Sequence, residues 1–173
     1  MPLKILSADI TKLAVDAIVN AANINLLAGG GVCGSIFRAA GYRQLQAACN
    51  KLAPIQTGEA VITPGFNLPA KFIIHTAGPV WHGGNNGEEN LLRNCYINSL
   101  QLAADKNLQS VAFPLISSGI YGYPPRAALN VAVHAIEDFL AQHDLDVTLT
   151  VLNQSLLAEF DITLHRGNFY DGI

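Results

Sequence analysis

Six strand-like runs alternate with helical runs along this chain, and several of the strands are apolar throughout. The strand runs are Leu3–Asp9, Ala17–Ala22, Glu59–Pro64, Lys71–Thr76, Ser110–Ile116 and Asp146–Leu152. A strand with no polar alternation is covered on both faces. The helices must therefore lie on both sides of the sheet, which predicts a three-layer α/β domain. Pro124–His143 carries Ala128, Leu129, Ala132, Val133, Ile136 and Leu140 at helical spacing, with Arg126, Asn130, Glu137 and Asp138 off that stripe. Glu88–Lys106 aligns Leu91, Leu92, Cys95, Ser99, Leu102 and Ala103 in the same way, and Val32–Leu52 and Ser155–Phe160 complete the helical set. The link between the third and fourth strands is short and holds Pro64-Gly65 and Pro69. It reads as a hairpin, so the sheet should be mixed rather than purely parallel.

The 173 residues suit one domain spanning 1–173, with the polar tail His165–Ile173 loosely held. Half the residues are hydrophobic and 13% are charged, which implies a large core. The net charge of −3, from 10 Lys+Arg against 13 Asp+Glu, argues against a broad nucleic-acid interface. No apolar run approaches the ~20 residues of a membrane span, and the N-terminus lacks a secretory pattern. Cys33, Cys49 and Cys95 are odd in number and lack metal-type spacing. Reduced thiols in the cytoplasm are expected, with no metal, no cofactor and a monomeric chain. A small anionic ligand stays open, because backbone N–H groups bind anions without Lys or Arg.

The segment G-G-G-V-C-G (29–34) stands between a strand and a helix, and Gly29, Gly31 and Gly34 fit G-x-G-x-x-G. Bare backbone at a helix N-terminus admits a diphosphate; the same spacing also serves a tight turn with packing glycines. Two features oppose a dinucleotide dehydrogenase. The loop follows the second strand, and six residues, Asn23 to Ala28, precede the first glycine. No acidic residue ends the next strand about 20 residues on. A Walker site is excluded because no Gly-Lys-Ser/Thr follows. A second glycine-bearing loop, I-S-S-G-I-Y-G-Y-P (116–124), also joins a strand to a helix. Loops at the carboxyl ends of strands in an open α/β sheet meet around one crevice. Two amide-rich loops there could hold a diphosphate from both sides.

Five segments, V-D-A-I-V-N-A-A-N (15–23), G-G-G-V-C-G-S-I-F-R-A-A-G (29–41), T-G-E-A-V-I-T-P-G-F (57–66), I-I-H-T-A-G-P-V-W (73–81) and P-L-I-S-S-G-I-Y-G-Y-P (114–124), resemble a macrodomain of the MacroD-like class. The match runs from about Leu3 to Leu157. The resemblance implies a three-layer α/β/α sandwich with a mixed six-stranded sheet that binds ADP-ribose, free or on a modified protein. It further implies hydrolysis of ADP-ribosyl esters: mono-ADP-ribosyl Asp or Glu, or O-acetyl-ADP-ribose. By position, Asp9 would accept from the adenine amino group, and Ile10 would offer backbone and an apolar wall. Asn23 would bind the distal ribose. Gly30, Gly31 and Val32 would form the first phosphate loop. Ser117, Gly119, Ile120 and Tyr121 would form the second, with Tyr121 shielding the distal ribose. Each residue type also has an ordinary role: Asp9 as a turn cap ahead of Thr11, Asn23 as a turn former, Tyr121 as core.

The chain departs from that pattern at four positions. Cys33 stands where hydrolytic members usually carry an acidic residue that polarises the attacking water. A thiolate at a helix N-terminus acts as base or nucleophile, whereas a thiol fills the wall of the cleft. Phe37 lies where a His is frequent, and Ala28 replaces the first Gly of a four-Gly run. Asn153 occupies the place of an aromatic that stacks on adenine, a loss worth about 1 kcal/mol of binding. The catalytic candidates are thus Asn23, Cys33 and Tyr121. A binding module without turnover and a Cys33-dependent esterase are the competing expectations.

Overall fold

The computed structural model describes residues 3–158. The strands are β1 (Leu3–Leu6), β2 (Ala17–Ala22), β3 (Ala60–Pro64), β4 (Phe72–Ala77), β5 (Ser110–Phe113) and β6 (Asp146–Thr150). The helices are α1 (Gly31–Ala40), α2 (Tyr42–Asn50), α3 (Glu88–Asp105) and α4 (Pro125–Leu140), with a single 3-10 turn at Ile10–Lys12. The sheet runs β1-β6-β5-β2-β4-β3. Every neighbouring pair is parallel except β3–β4, the hairpin marked by Pro64-Gly65.

Two apolar cores lie on opposite faces of this sheet. On one, Ile36 and Phe37 of α1 and Leu45 and Cys49 of α2 cover Ile18, Ile73 and Ala112. On the other, Leu92, Tyr96 and Leu100 of α3 and Leu129, Val133 and Ile136 of α4 cover Val19, Ile74, Val111, Phe113 and Leu149. Alternate residues of β2 and β4 thus feed different cores, which is why those strands are apolar apart from Asn20, His75 and Thr76. The three layers and the mixed sheet match the expectation from the strand pattern.

The boundaries differ in places, each for a local reason. The helical run from Val32 breaks at Gly41, whose φ of 108° lies outside any helical conformation. β5 stops at Phe113 because Pro114 has no N–H for the ladder. β1 stops at Leu6, and Asp9 instead begins the 3-10 turn. Of the run Ser155–Phe160, residues 154–158 are helical. The rest of that run and the tail His165–Ile173 lie outside the described residues.

The connections create one crevice. From β2 the chain crosses through α1 and α2 toward the β4–β3 edge; from β5 it crosses through α4 toward β6. β2 and β5 are neighbours whose crossovers leave in opposite directions and cover opposite faces. In an open α/β sheet, that arrangement splays the two loops apart and leaves a ligand crevice at the carboxyl ends of the strands. The loops in question are the two glycine-bearing segments.

Candidate functional site

The first loop leaves β2 at Ala22 and is folded by the side chain of Asn23. Its Oδ1 accepts from Leu27 N at 3.0 Å, and its Nδ2 donates to Leu27 O at 2.7 Å. α2 steadies the same loop through Gln46, which accepts from Ala28 N and donates to Leu26 O, both at 3.0 Å. α1 then starts at Gly31, with Gly30 as a cap that has no side chain to occupy the first-turn N–H groups. Gly31 has a φ of 59°, a conformation costly for residues with a β-carbon. Gly30 and Gly31 are exposed and Val32 is half-buried, so this helix end opens to solvent.

The second loop is anchored from below. The buried Tyr96 hydroxyl accepts from Ile116 N at 3.0 Å and donates to Pro114 O at 3.3 Å. Within the loop, Tyr123 N donates to Ser117 O at 2.9 Å and Gly122 N to Gly119 O at 3.0 Å. Ser117 carries a φ of 68°, and Gly78 packs directly against its Oγ. Gly119 and Ile120 are exposed, and Tyr121 is half-buried. Trp81 N donates to Tyr121 O at 2.8 Å, which ties the β4–α3 connection to this loop. The two loops meet: a β-carbon on Gly30 would lie 3.8 Å from Ile120 Cδ1.

Asp9 and Asn153 follow the paired ends of β1 and β6, the strands beyond β5 in the sheet. Leu6 of β1 pairs with Thr150 of β6, and each of the two residues lies three positions past that pair. Asp9 Oδ1 accepts from Thr11 N at 3.0 Å and Thr11 Oγ1 at 2.7 Å. The Thr11 hydroxyl and amide together hold the carboxyl below its usual range, so Asp9 is an anion at neutral pH. It is exposed, while the neighbouring Ile10 is buried. Asn153 Oδ1 accepts from Leu156 N at 3.1 Å and caps the helical residues 154–158. The turn-cap role open to Asp9 in the sequence is thus realised, and it leaves Oδ2 outside those bonds.

Cys33 points inward. It is 6% exposed, its Sγ accepts from Asn20 Nδ2 at 3.7 Å, and it donates to Leu27 O at 3.8 Å. Behind it lies a row of polar side chains that the sequence pattern did not single out. Asn20 of β2 sits in register with His75 of β4, and Asn20 Nδ2 donates to His75 Nδ1 at 3.1 Å. With Nδ1 accepting, neutral His75 carries its proton on Nε2, which donates to Thr63 Oγ1 at 3.0 Å. Thr63 in turn donates to Pro64 O. Burial pushes the His75 pKa down to about 4 and that of the adjacent Cys49 thiol up to about 11. The signal available in the sequence was Asn20 in one largely apolar strand and His75 in another.

Glu88 is a second residue the pattern missed. Its carboxylate accepts from His82 N and Gly84 N at 2.9 Å and from Asn86 N at 2.6 Å. These main-chain bonds, led by that of His82, lower its pKa to about 2 and pin the connection behind Trp81. A separate cleft of about 610 Å³ opens between α3 and α4, walled by Trp81, Tyr123, Asn90, Arg93 and Asn130. None of the sequence-predicted site residues lines it. Among the described residues no three His, Cys, Asp or Glu side chains gather as a metal site.

Comparison with known proteins identifies the family. A family model described as Macro domain matches residues 19–132. A macro domain-containing protein of Ralstonia nicotianae is 50% identical over 165 residues, covering 95% of both chains. An O-acetyl-ADP-ribose deacetylase of Escherichia coli is 52% identical over 147 residues, covering 83% of this chain and 82% of its own. A variant of the Oceanobacillus iheyensis macrodomain solved with ADPR superposes with a TM-score of 0.89 at 41% identity, covering 95% of this chain and 92% of its own.

Proposed function

Because the chain belongs to the macro domain family, we propose that it binds ADP-ribose in the crevice between the two glycine loops and hydrolyses ADP-ribosyl esters there. The observation that carries this reading is the meeting of Gly30 with Ile120 at the β2/β5 switch point. It brings two rows of main-chain amides to one groove, a geometry suited to a diphosphate. The anionic Asp9 at the β1/β6 end is an acceptor matched to an exocyclic amine. Asn23 spends one N–H and one lone pair on Leu27 and retains one of each for a ribose hydroxyl. Tyr121, half-buried in the second loop, is assigned by the family resemblance to shield the distal ribose.

The substrate class is an acyl ester of the distal ribose, either O-acetyl-ADP-ribose or an ADP-ribosylated Asp or Glu of a protein. Water adds to the acyl carbon, the bond to the ribose oxygen breaks, and the carboxylic acid and ADP-ribose leave. Positioning of that water between a ligand phosphate and the glycine loop supplies several kcal/mol without a protein base. Loop N–H groups stabilise the developing negative charge. The inward Cys33 thiol, separated from His75 by Asn20, suits a supporting role rather than that of a nucleophile. We place the protein in the cytoplasm as a monomeric single domain.

One observation favours a second reading, in which the protein binds ADP-ribose without turnover: a thiol occupies position 33 in place of a carboxylate. The deciding experiment titrates ADP-ribose by calorimetry and then assays O-acetyl-ADP-ribose and Glu-linked mono-ADP-ribosyl protein on the same sample. Binding with turnover of either ester supports the hydrolase. Binding with release no faster than a buffer blank supports the second reading, and no binding removes both.

A further inference from the structure

The buried polar row does not end at Cys33. The Leu27 carbonyl that accepts from Cys33 Sγ is the same carbonyl that accepts from Asn23 Nδ2. An unbroken path therefore runs from Thr63 through His75, Asn20 and Cys33 to Leu27 and Asn23. It links the outermost strand, β3, to the mouth of the groove across β4 and β2. We propose that Thr63, His75, Asn20 and Cys33 are positioning residues that fix the side-chain amide of Asn23, through the Leu27 carbonyl, for contact with the distal ribose. The proposal rests on the reading of the groove given above.

Three features carry it. The first is donor order. Thr63 accepts from His75 Nε2, His75 Nδ1 accepts from one Asn20 N–H, and the other Asn20 N–H goes to the Cys33 sulfur. The thiol proton is then aimed at Leu27 O. With Asn20 Nδ2 as donor to both of its neighbours, the row runs in one direction from Asn20 to Thr63 and from Asn20 to Leu27, with Cys49 Sγ 3.9 Å from His75 Nε2 beside it. The second is the polar cost accepted for it. Asn20 is 1% exposed and its Oδ1 has no hydrogen-bond partner. A buried amide with an unpaired oxygen is costly, and here its N–H groups are what the geometry uses. The third is the residue at 33 itself. A thiol donates to a carbonyl, whereas an ionised carboxylate only accepts and would repel Leu27 O. Cys33 is thus matched to this row.

The test compares Cys33→Ala, Cys33→Ser, Thr63→Val and the double variant Cys33→Ala with Thr63→Val. Turnover of O-acetyl-ADP-ribose and binding of ADP-ribose are both measured. Cys33→Ala is expected to lower kcat about 3- to 10-fold with KM within about twofold, since Asn23 still binds but is less well aimed. Cys33→Ser, which keeps a donor, recovers most of that loss. Thr63→Val lowers kcat in the native background and adds nothing in the Cys33→Ala background. Independent, multiplying effects of the two changes, or a Cys33→Ser as slow as Cys33→Ala, overturn the proposal. Thr63→Ser keeps the hydroxyl and should match the native protein; a Thr63→Ser as slow as Thr63→Val also overturns the proposal. The side-chain amide resonance of Asn23 in isotope-labelled, ligand-free protein gives a readout that needs no activity. It should shift in Cys33→Ala and in Thr63→Val. An unmoved resonance sinks the positioning role even if the protein hydrolyses esters; a shifted one in a protein that neither binds nor hydrolyses overturns the functional reading alone.

Discussion

Gly30 and Ile120 face each other across the groove, with Ile120 Cδ1 3.8 Å from the position a β-carbon on Gly30 would take. One residue belongs to the cap of α1 and the other to the loop after β5, 90 positions later in the chain. Their approach brings the two glycine-bearing loops side by side.

Ile120 is 88% exposed, so it contributes little to the core. Ile120→Ala should leave the thermal midpoint nearly unchanged, within about 0.5 kcal/mol of stability. It should weaken ADP-ribose binding by about 1 kcal/mol, because the side chain has apolar area to give only to a ligand. Paired calorimetry and thermal melts check this. A large fall in stability with unchanged affinity would falsify the assignment of Ile120 to the groove wall.

Gly34 behaves differently from Gly30. A β-carbon at Gly34 would sit 2.5 Å from the carbonyl oxygen of Gly29, a backbone atom that cannot swing aside. Gly34→Ala should therefore cost about 1–3 kcal/mol and displace the first loop. Urea unfolding gives the cost; loss of ADP-ribose binding in protein that is still folded reports the displacement.

His75 makes stability depend on pH. Its pKa is about 4 in the fold and near 6.5 when the chain is unfolded. Above pH 6.5 both states hold it neutral, and the full stability is present. As pH falls from 6.5 toward 4, only the unfolded chain takes up the proton, so stability drops, by about 2 kcal/mol at pH 5. Urea midpoints at pH 7.5 and pH 5 measure the slope. His75→Gln should flatten that slope whatever it does to stability at pH 7.5; an equally steep slope would assign the effect to other groups.

Glu88 holds the 82–86 connection by three main-chain bonds. Its pKa is about 2 against an ordinary 4.5, so this support is complete above pH 4.5 and is lost as pH falls toward 2. Glu88→Gln keeps one acceptor oxygen in place of two. Hydrogen exchange at the amides of His82, Gly84 and Asn86 should speed up in the variant while the amides of β4 stay protected. Unchanged exchange at all three would mean the loop is held by something else.

The fold was legible because its signals are local. Largely apolar runs such as Ala17–Ala22, without polar alternation, demand cover on both faces, and Pro64-Gly65 marks the antiparallel pair β3–β4. The glycine loops were legible for the same reason, since bare backbone ahead of a helix is a feature of neighbouring residues. The break at Gly41 was not read, because a glycine within an apolar periodicity gives no sign of its φ. Glu88 gave no sign of its task either. A glutamate at the start of a helix is ordinary, and only the path of the chain from 82 to 86 turns it into an anchor.

By itself the sequence determined the layers, the mixed sheet and the presence of two amide-rich segments, because these follow from periodicity and backbone freedom over a few residues. The tertiary structure alone decided that those segments share a groove and that Asn20 meets His75. Both depend on which strands lie side by side and in what register. Strand order and register are set by packing of the whole sheet against its two helical layers, and leave no trace in the spacing of nearby residues.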